Sequence, residues 1–137
     1  MTIPCLCYSG KSYQECCKPF HTGKQLPKTA LELMRSRYCA YAKGLVDYLI
    51  QTTHPQNVLF ENSRQDIEEG IRKFSQATQF TGLDIIEFID GEKEAFVTFK
   101  AHLVQDQDDV SFQEKSRFLK ENDRWLYHSG DYQRKER

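Results

Sequence analysis

At 137 residues the chain has room for one compact domain with a real core and a small appendage. Hydrophobic residues at 39% and aromatics at 12% suffice to build that core, while 28% charged residues and the lack of any apolar run of spanning length exclude a helical membrane protein. A net charge of -1 gives no whole-molecule pull toward nucleic acid.

The opening Met1-Thr2-Ile3-Pro4 carries no basic stretch followed by an apolar one, so the expectation is a cytoplasmic protein with reduced thiols. Four of the five cysteines then fall within thirteen residues, as Cys5-x-Cys7, a loop of eight, and Cys16-Cys17. A bend can turn the sulfurs of Cys5 and Cys7 to one point, and a reversal through Ser9-Gly10 can bring Cys16 and Cys17 against them. Four thiolates in a tetrahedron suit zinc and leave no position for water. The prediction is therefore a structural Zn2+ held by Cys5, Cys7, Cys16 and Cys17. Adjacent ligands demand a sharp turn, and His21 is the alternative donor if one of Cys16 and Cys17 turns away. The competing readings are two disulfides, disfavoured without a secretory signal, and a redox thiol, for which there is no Cys-x-x-Cys. Lys11, Lys18, Lys24 and Lys28 outnumber Glu15 here, but zinc with four thiolates is anionic and cancels most of that charge. Nucleic acid is not expected as a partner.

Gly23 to Lys28 reads as a connector closed by Pro27. Thr29 caps a first helix, with Glu32 placed as in a capping box, and Leu31, Met34, Tyr38, Tyr41, Ala42 and Leu45 recur at helical spacing around a stop at Gly44. Arg35 and Arg37 are expected on its surface, paired with carboxylates such as Glu32. Cys39 reads as a packed thiol outside the metal set. A second helix over Leu45 to Thr53 buries Val46, Leu49 and Ile50 and stops before His54-Pro55. After a loop from Asn57 to Ser63, the spacing of Ile67, Ile71, Phe74 and Thr78 predicts a third helix, with Glu68, Glu69, Arg72 and Lys73 in solvent.

The period then changes from helical to alternating. Leu83 to Ile89 is a strand, Asp90-Gly91 a hairpin turn, and Ala95, Val97, Phe99, Ala101 and Leu103 alternate with Glu94, Thr98, Lys100 and His102. Gln105 to Asp109 is a solvated acidic loop without the glycine and closing glutamate of a calcium site. Val110, Phe112 and Phe118 mark the next strand, Glu121-Asn122-Asp123 a turn, and Trp125 to Tyr127 the last strand. Three helices followed by a four-stranded antiparallel meander make an α+β roll. Such a roll often encloses a hollow, where His102, Glu114 and Ser116 would supply general acid and base chemistry if they shared it.

The stretch Cys5-x-Cys7-x-Ser9-Gly10-Lys11-x-Tyr13-x-x-Cys16-Cys17 resembles the SEC-C motif, a short zinc-binding module; Leu6 and Tyr8 stand where that motif usually has Pro and Gly. Pro19-Phe20-His21-x-Gly23, Thr29-Ala30-x-x-Leu33-Met34-Arg35-Ser36-Arg37-Tyr38-x-Ala40-Tyr41, Asp47-Tyr48-Leu49, Thr53-His54-Pro55, Phe118 and Arg124-Trp125-x-Tyr127-x-x-Gly130 extend the likeness. Over nearly its whole length the chain resembles the YchJ-like family. That resemblance implies a cystatin/NTF2-like roll, with residues 1–28 as the zinc module and connector and 29–137 as the NTF2-like α+β domain. Some longer relatives add a second cysteine module, for which Asp131 to Arg137 hold no cysteine.

The family's biochemical role is not established, so two functions are expected in order. The first is a zinc-binding interaction module presenting Tyr8, Lys11, Tyr13 and Phe20 to a protein partner, related to secretion or the ribosome by analogy with SEC-C tails. The alternative is a small-molecule-binding or catalytic pocket resting on His102 and Glu114.

Overall fold

The computed structural model describes residues 3–133. What was read from Met1-Thr2 and from the last four residues therefore lies outside it.

The chain opens as a tight hairpin. Pro4 bridges Ser12, the Cys5 N–H donates to Lys11 O at 2.9 Å, and the Tyr13 N–H donates to Ile3 O at 2.8 Å. A 3-10 turn at Tyr13–Glu15, capped by the Ser12 hydroxyl, leads into the single-turn α1 (Lys18–His21). Helix α2 (Ala30–Lys43) follows. The Thr29 Oγ1 accepts from the Glu32 N–H at 3.1 Å, and Glu32 reaches back to the N–H of Lys28, one residue before the cap. Gly44 ends the helix in the left-handed conformation, at φ 71°.

The spacing implies one apolar face on α2, but the helix is covered on several sides. Ala30, Leu33, Met34 and Tyr38 pack into the sheet core, Ala40 joins a second cluster with Val46, Leu49, Ile50, Ile67 and Ile71, and Cys39 meets the N-terminal cysteines. That second cluster is supplied by α3 (Val46–Gln51) and α4 (Arg64–Ala77). α3 buries Val46, Leu49 and Ile50 as expected; α4 buries Ile67 and Ile71, with Phe74 partly buried and Thr78 already extended beyond its end, and Ser63 caps it by accepting from the Asp66 N–H.

Strands β1 (Gln79–Ile89), β2 (Glu94–Gln105), β4 (Phe112–Glu121) and β5 (Arg124–Gln133) form an antiparallel sheet in that order, with the short β3 (Asp108–Asp109) beside β2. This is the α+β roll expected, with two strands longer than the pattern implied. β1 begins at Gln79 rather than Leu83, because Phe80 packs on the core and Tyr38 donates its hydroxyl to Gly82 O at 2.8 Å. β5 runs past Tyr127 through a bulge: Phe118 pairs with Tyr127, but Arg117 pairs with Ser129. The extra residue at His128 shifts the alternation, so the second half of the strand has no readable period.

Candidate functional site

Two features stand out, a cluster of sulfurs and a cavity. In the first, the Sγ atoms of Cys5, Cys7, Cys16 and Cys17 all lie within 4.8 Å of one another. Cys7 and Cys16 are 3.5 Å apart, Cys16 and Cys17 3.9 Å, and all the cysteines are free thiols. Cys16 is presented by the irregular backbone closing the 3-10 turn, at φ -116° and ψ -91°, which lets its neighbour Cys17 face the same point. Four convergent sulfurs with no competing carboxylate are a donor set able to hold a metal ion.

Cys39 sits closer to this cluster than a packed thiol elsewhere in the core would. It is fully buried, its Sγ is 3.9 Å from that of Cys5, and with Cys17 and His21 it forms a second potential donor group. Its place on α2 lies one turn from Arg35, whose Nη1 donates to Cys7 O at 3.0 Å and fastens the hairpin to the helix. The neighbouring Cys39 and Cys5 thiols push Cys17 up, whereas the Cys17 thiol beside it holds Cys39 down to about 4. Burial pushes Cys16 up to about 11.

His21, the alternative ligand, is engaged at both ring nitrogens. Nε2 lies 2.8 Å from Ser36 O, an acceptor only, so it carries the proton and donates. Nδ1 then accepts from the Tyr13 hydroxyl at 2.8 Å, a phenol pushed up to about 12 by burial and by the charge of Cys39. Burial lowers His21 itself, which keeps it neutral in this arrangement. Tyr13 would have to swing away before His21 could bind a metal.

The second feature is a cavity of about 710 Å³ between α2, α4 and the concave face of the sheet. Its walls are mainly apolar and aromatic, and Glu114 and Ser116 lie in it. Their register explains why: Glu114 pairs with Phe99 and Ser116 with Val97, both core positions of β2. Glu114 is 6% exposed, and its Oε2 accepts from the Ser116 hydroxyl and, at 3.1 Å, from the Tyr127 hydroxyl. Burial first, and the Glu114 charge second, raise the Tyr127 phenol and hold its proton for this bond.

His102 does not belong to this site. Between the inward Ala101 and Leu103 its side chain must face the other side of β2, where Nε2 lies 2.7 Å from Asp84 Oδ2. No histidine lines the cavity among the described residues, so the expected His102 and Glu114 pairing is not formed. The surface position expected for Arg37 is also corrected. It is 8% exposed and donates from Nη1 to Leu49 O, Thr52 Oγ1 and Thr53 Oγ1 at 3.0, 2.7 and 3.0 Å, its guanidinium 4.7 Å from the Tyr127 ring centre. Residues flanking the α3 terminus, not carboxylates, claim it. Helical spacing placed Arg37 apart from Arg35 but gave no sign that α3 would cover that side.

A family model described as "YchJ, middle NTF2-like domain" matches residues 29–130. The chain belongs to the YchJ-like family. A UPF0225 protein of Vibrio parahaemolyticus is 36% identical over 138 residues, covering 99% of this chain and 79% of its own length. Another, from Streptomyces coelicolor, is 38% identical over 136 residues, covering 96% of this chain and 97% of its own. The solution structure of a SEC-C motif containing protein from Rhodopseudomonas palustris matches with a TM-score of 0.81 at 30% identity, over 94% of this chain and 98% of that one. The family and the NTF2-like fold expected from the sequence are borne out. In this YchJ-like chain the matched segment holds Glu114, Arg37 and Cys39, while the four clustered N-terminal cysteines precede it. No helix among the described residues is long and apolar enough to cross a membrane.

Proposed function

We propose that the protein binds a small molecule in its NTF2-like cavity and that the N-terminal knuckle holds a structural zinc ion. The observation that carries the first half is Glu114, a buried carboxylate placed in a large, mainly apolar hollow. A cavity of this size falls in the range of ligand sites, and a few convergent polar groups on apolar walls are how such sites orient their occupants. A screen of small fragments by thermal shift, mapped by amide chemical shifts, tests it. Binding that perturbs residues around Glu114 and Ser116 supports the reading; fragments that perturb only outer surfaces contradict it.

For the knuckle, tetrahedral zinc with bonds of about 2.3 Å sets sulfurs about 3.8 Å apart. The 3.5 and 3.9 Å separations bracket that spacing. Cys5, Cys7, Cys16 and Cys17 would hold the ion and leave no open position, so zinc would supply folding energy and not chemistry. Native mass spectrometry should find about one zinc per chain.

A second reading, docking of a protein partner on the knuckle, has its own support in the exposed Ile3, Leu6, Tyr8 and Leu26. Tyr13 and Phe20 are less available to a partner: one is bonded to His21, and the other lines a small cleft. Secretion or ribosomal proteins are the partners it proposes. Equal recovery of such a partner by wild type and Leu6→Glu contradicts it.

A further inference from the structure

The carboxylate of Glu114 is aimed at something the described residues do not supply. Both hydroxyls that reach it converge on Oε2, leaving Oε1 without a donor among the described residues. No Lys, Arg or His among the described residues lies within ion-pair distance of Glu114. A buried carboxylate without a cationic partner is costly; its two hydroxyl donors offset part of that cost, and a bound cation would offset more.

The surroundings favour the same charge. Glu114 stands between Phe99 and Tyr132 in the sheet register, with Phe112 two residues away on the same strand and Tyr127 bonded to it. Phe112 packs edge-on against Phe99 and Tyr132, with ring centres 6.1 and 5.2 Å apart. Several aromatic rings around one carboxylate are surroundings that suit an ammonium, through cation–π attraction and a charge-assisted hydrogen bond together. Among the described residues of the lining, Asp66 and Glu114 stand against one cation, Arg37, and the Nη1 of Arg37 already reaches three oxygens. Gly130 completes the arrangement, since a side chain there would collide with the carboxylate.

We infer that the ligand of this cavity is an amine: a molecule with an apolar or aromatic body filling the hollow and a protonated nitrogen seated on Glu114 Oε1 among Phe99, Phe112, Tyr127 and Tyr132. This rests on the cavity being a ligand site and names the class of molecule it takes.

The test uses three probes of one shape, 3-phenylpropylamine, 3-phenylpropanol and 3-phenylpropionate, titrated into the full chain at neutral pH and followed by amide chemical shifts. The amine should bind about tenfold tighter than the alcohol, and the acid most weakly of the three. In Glu114→Gln, checked for a native spectrum, the amine should fall to the level of the alcohol. Asp84→Asn, which removes a carboxylate from the outer face of the same sheet, should keep the wild-type order. An alcohol that binds as well as the amine, or an amine preference that survives Glu114→Gln, overturns the assignment of an amine and leaves the pocket standing. Failure of all three probes to perturb the cavity overturns both.

Discussion

Glu114 and Gly130 sit diagonally across β4 and β5, so close that a Cβ on Gly130 would lie 2.2 Å from Glu114 Oε2. The glycine is there for the carboxylate. Gly130→Ala should therefore cost about 2 kcal/mol, since the carboxylate must shift off its two hydroxyl partners to make room. In a Glu114→Ala background the same change should cost clearly less. Denaturant unfolding of the four proteins in a double-mutant cycle measures the coupling, and an unchanged cost in both backgrounds would contradict it.

Tyr8 holds a left-handed backbone, at φ 63°, where the usual SEC-C motif has glycine. Its hydroxyl donates to Phe80 O at 2.8 Å and its ring meets Tyr38 edge-on, so contacts with the domain offset the strain. Tyr8→Ala keeps the strain and loses the contacts, for an expected loss of about 2 kcal/mol. Tyr8→Gly loses the same contacts but relieves the backbone, and should be about 1 kcal/mol better than Tyr8→Ala. Equal stabilities of the two variants would show that the turn is unstrained.

Arg37 ties α2 to the end of α3 through three oxygens from a single nitrogen. Arg37→Ala should destabilise the fold by about 3 kcal/mol, since it strips charge-assisted bonds from a buried site. Arg37→Lys should recover only part of this, because an ammonium cannot make these bonds and also lie over the Tyr127 ring as the guanidinium does. Thermal unfolding with a full return of stability in Arg37→Lys would show that charge alone matters.

These positions show what was legible and what was not. The Cys5 to Cys17 spacing, the caps at Thr29 and Ser63 and the β2 alternation are local signals, and each could be read from neighbouring residues. Arg37, Cys39 and the inward Glu114 depend on what packs across from them. Arg37 looks like a surface residue until α3 folds over it, and a single cysteine carries no spacing to tie it to a cluster 22 or more residues earlier. Chemistry alone groups His102 with Glu114, whereas the parity of β2 places His102 opposite the core positions. Only the register between β2 and β4 decides which face Glu114 shares.

Tyr13 and Tyr48 are both pushed up to about 12 from the ordinary 10.0, chiefly by burial. Their folded pKa values exceed the unfolded ones, so their stabilising contribution is complete below about pH 10 and is lost as the pH rises through about 12. Phenolate absorbance at 295 nm should therefore show these two ionising together with unfolding. Tyr48→Phe should flatten the alkaline fall in stability. Ionisation of both near pH 10 in a still-folded protein would contradict their burial.

The most direct measurement is a crystal structure of the metal-loaded chain soaked with 3-phenylpropylamine. Density for the ring inside the cavity, with its nitrogen about 3 Å from Glu114 Oε1, is the predicted result. A cavity that holds only ordered water, or an amine bound elsewhere with Glu114 untouched, would contradict it.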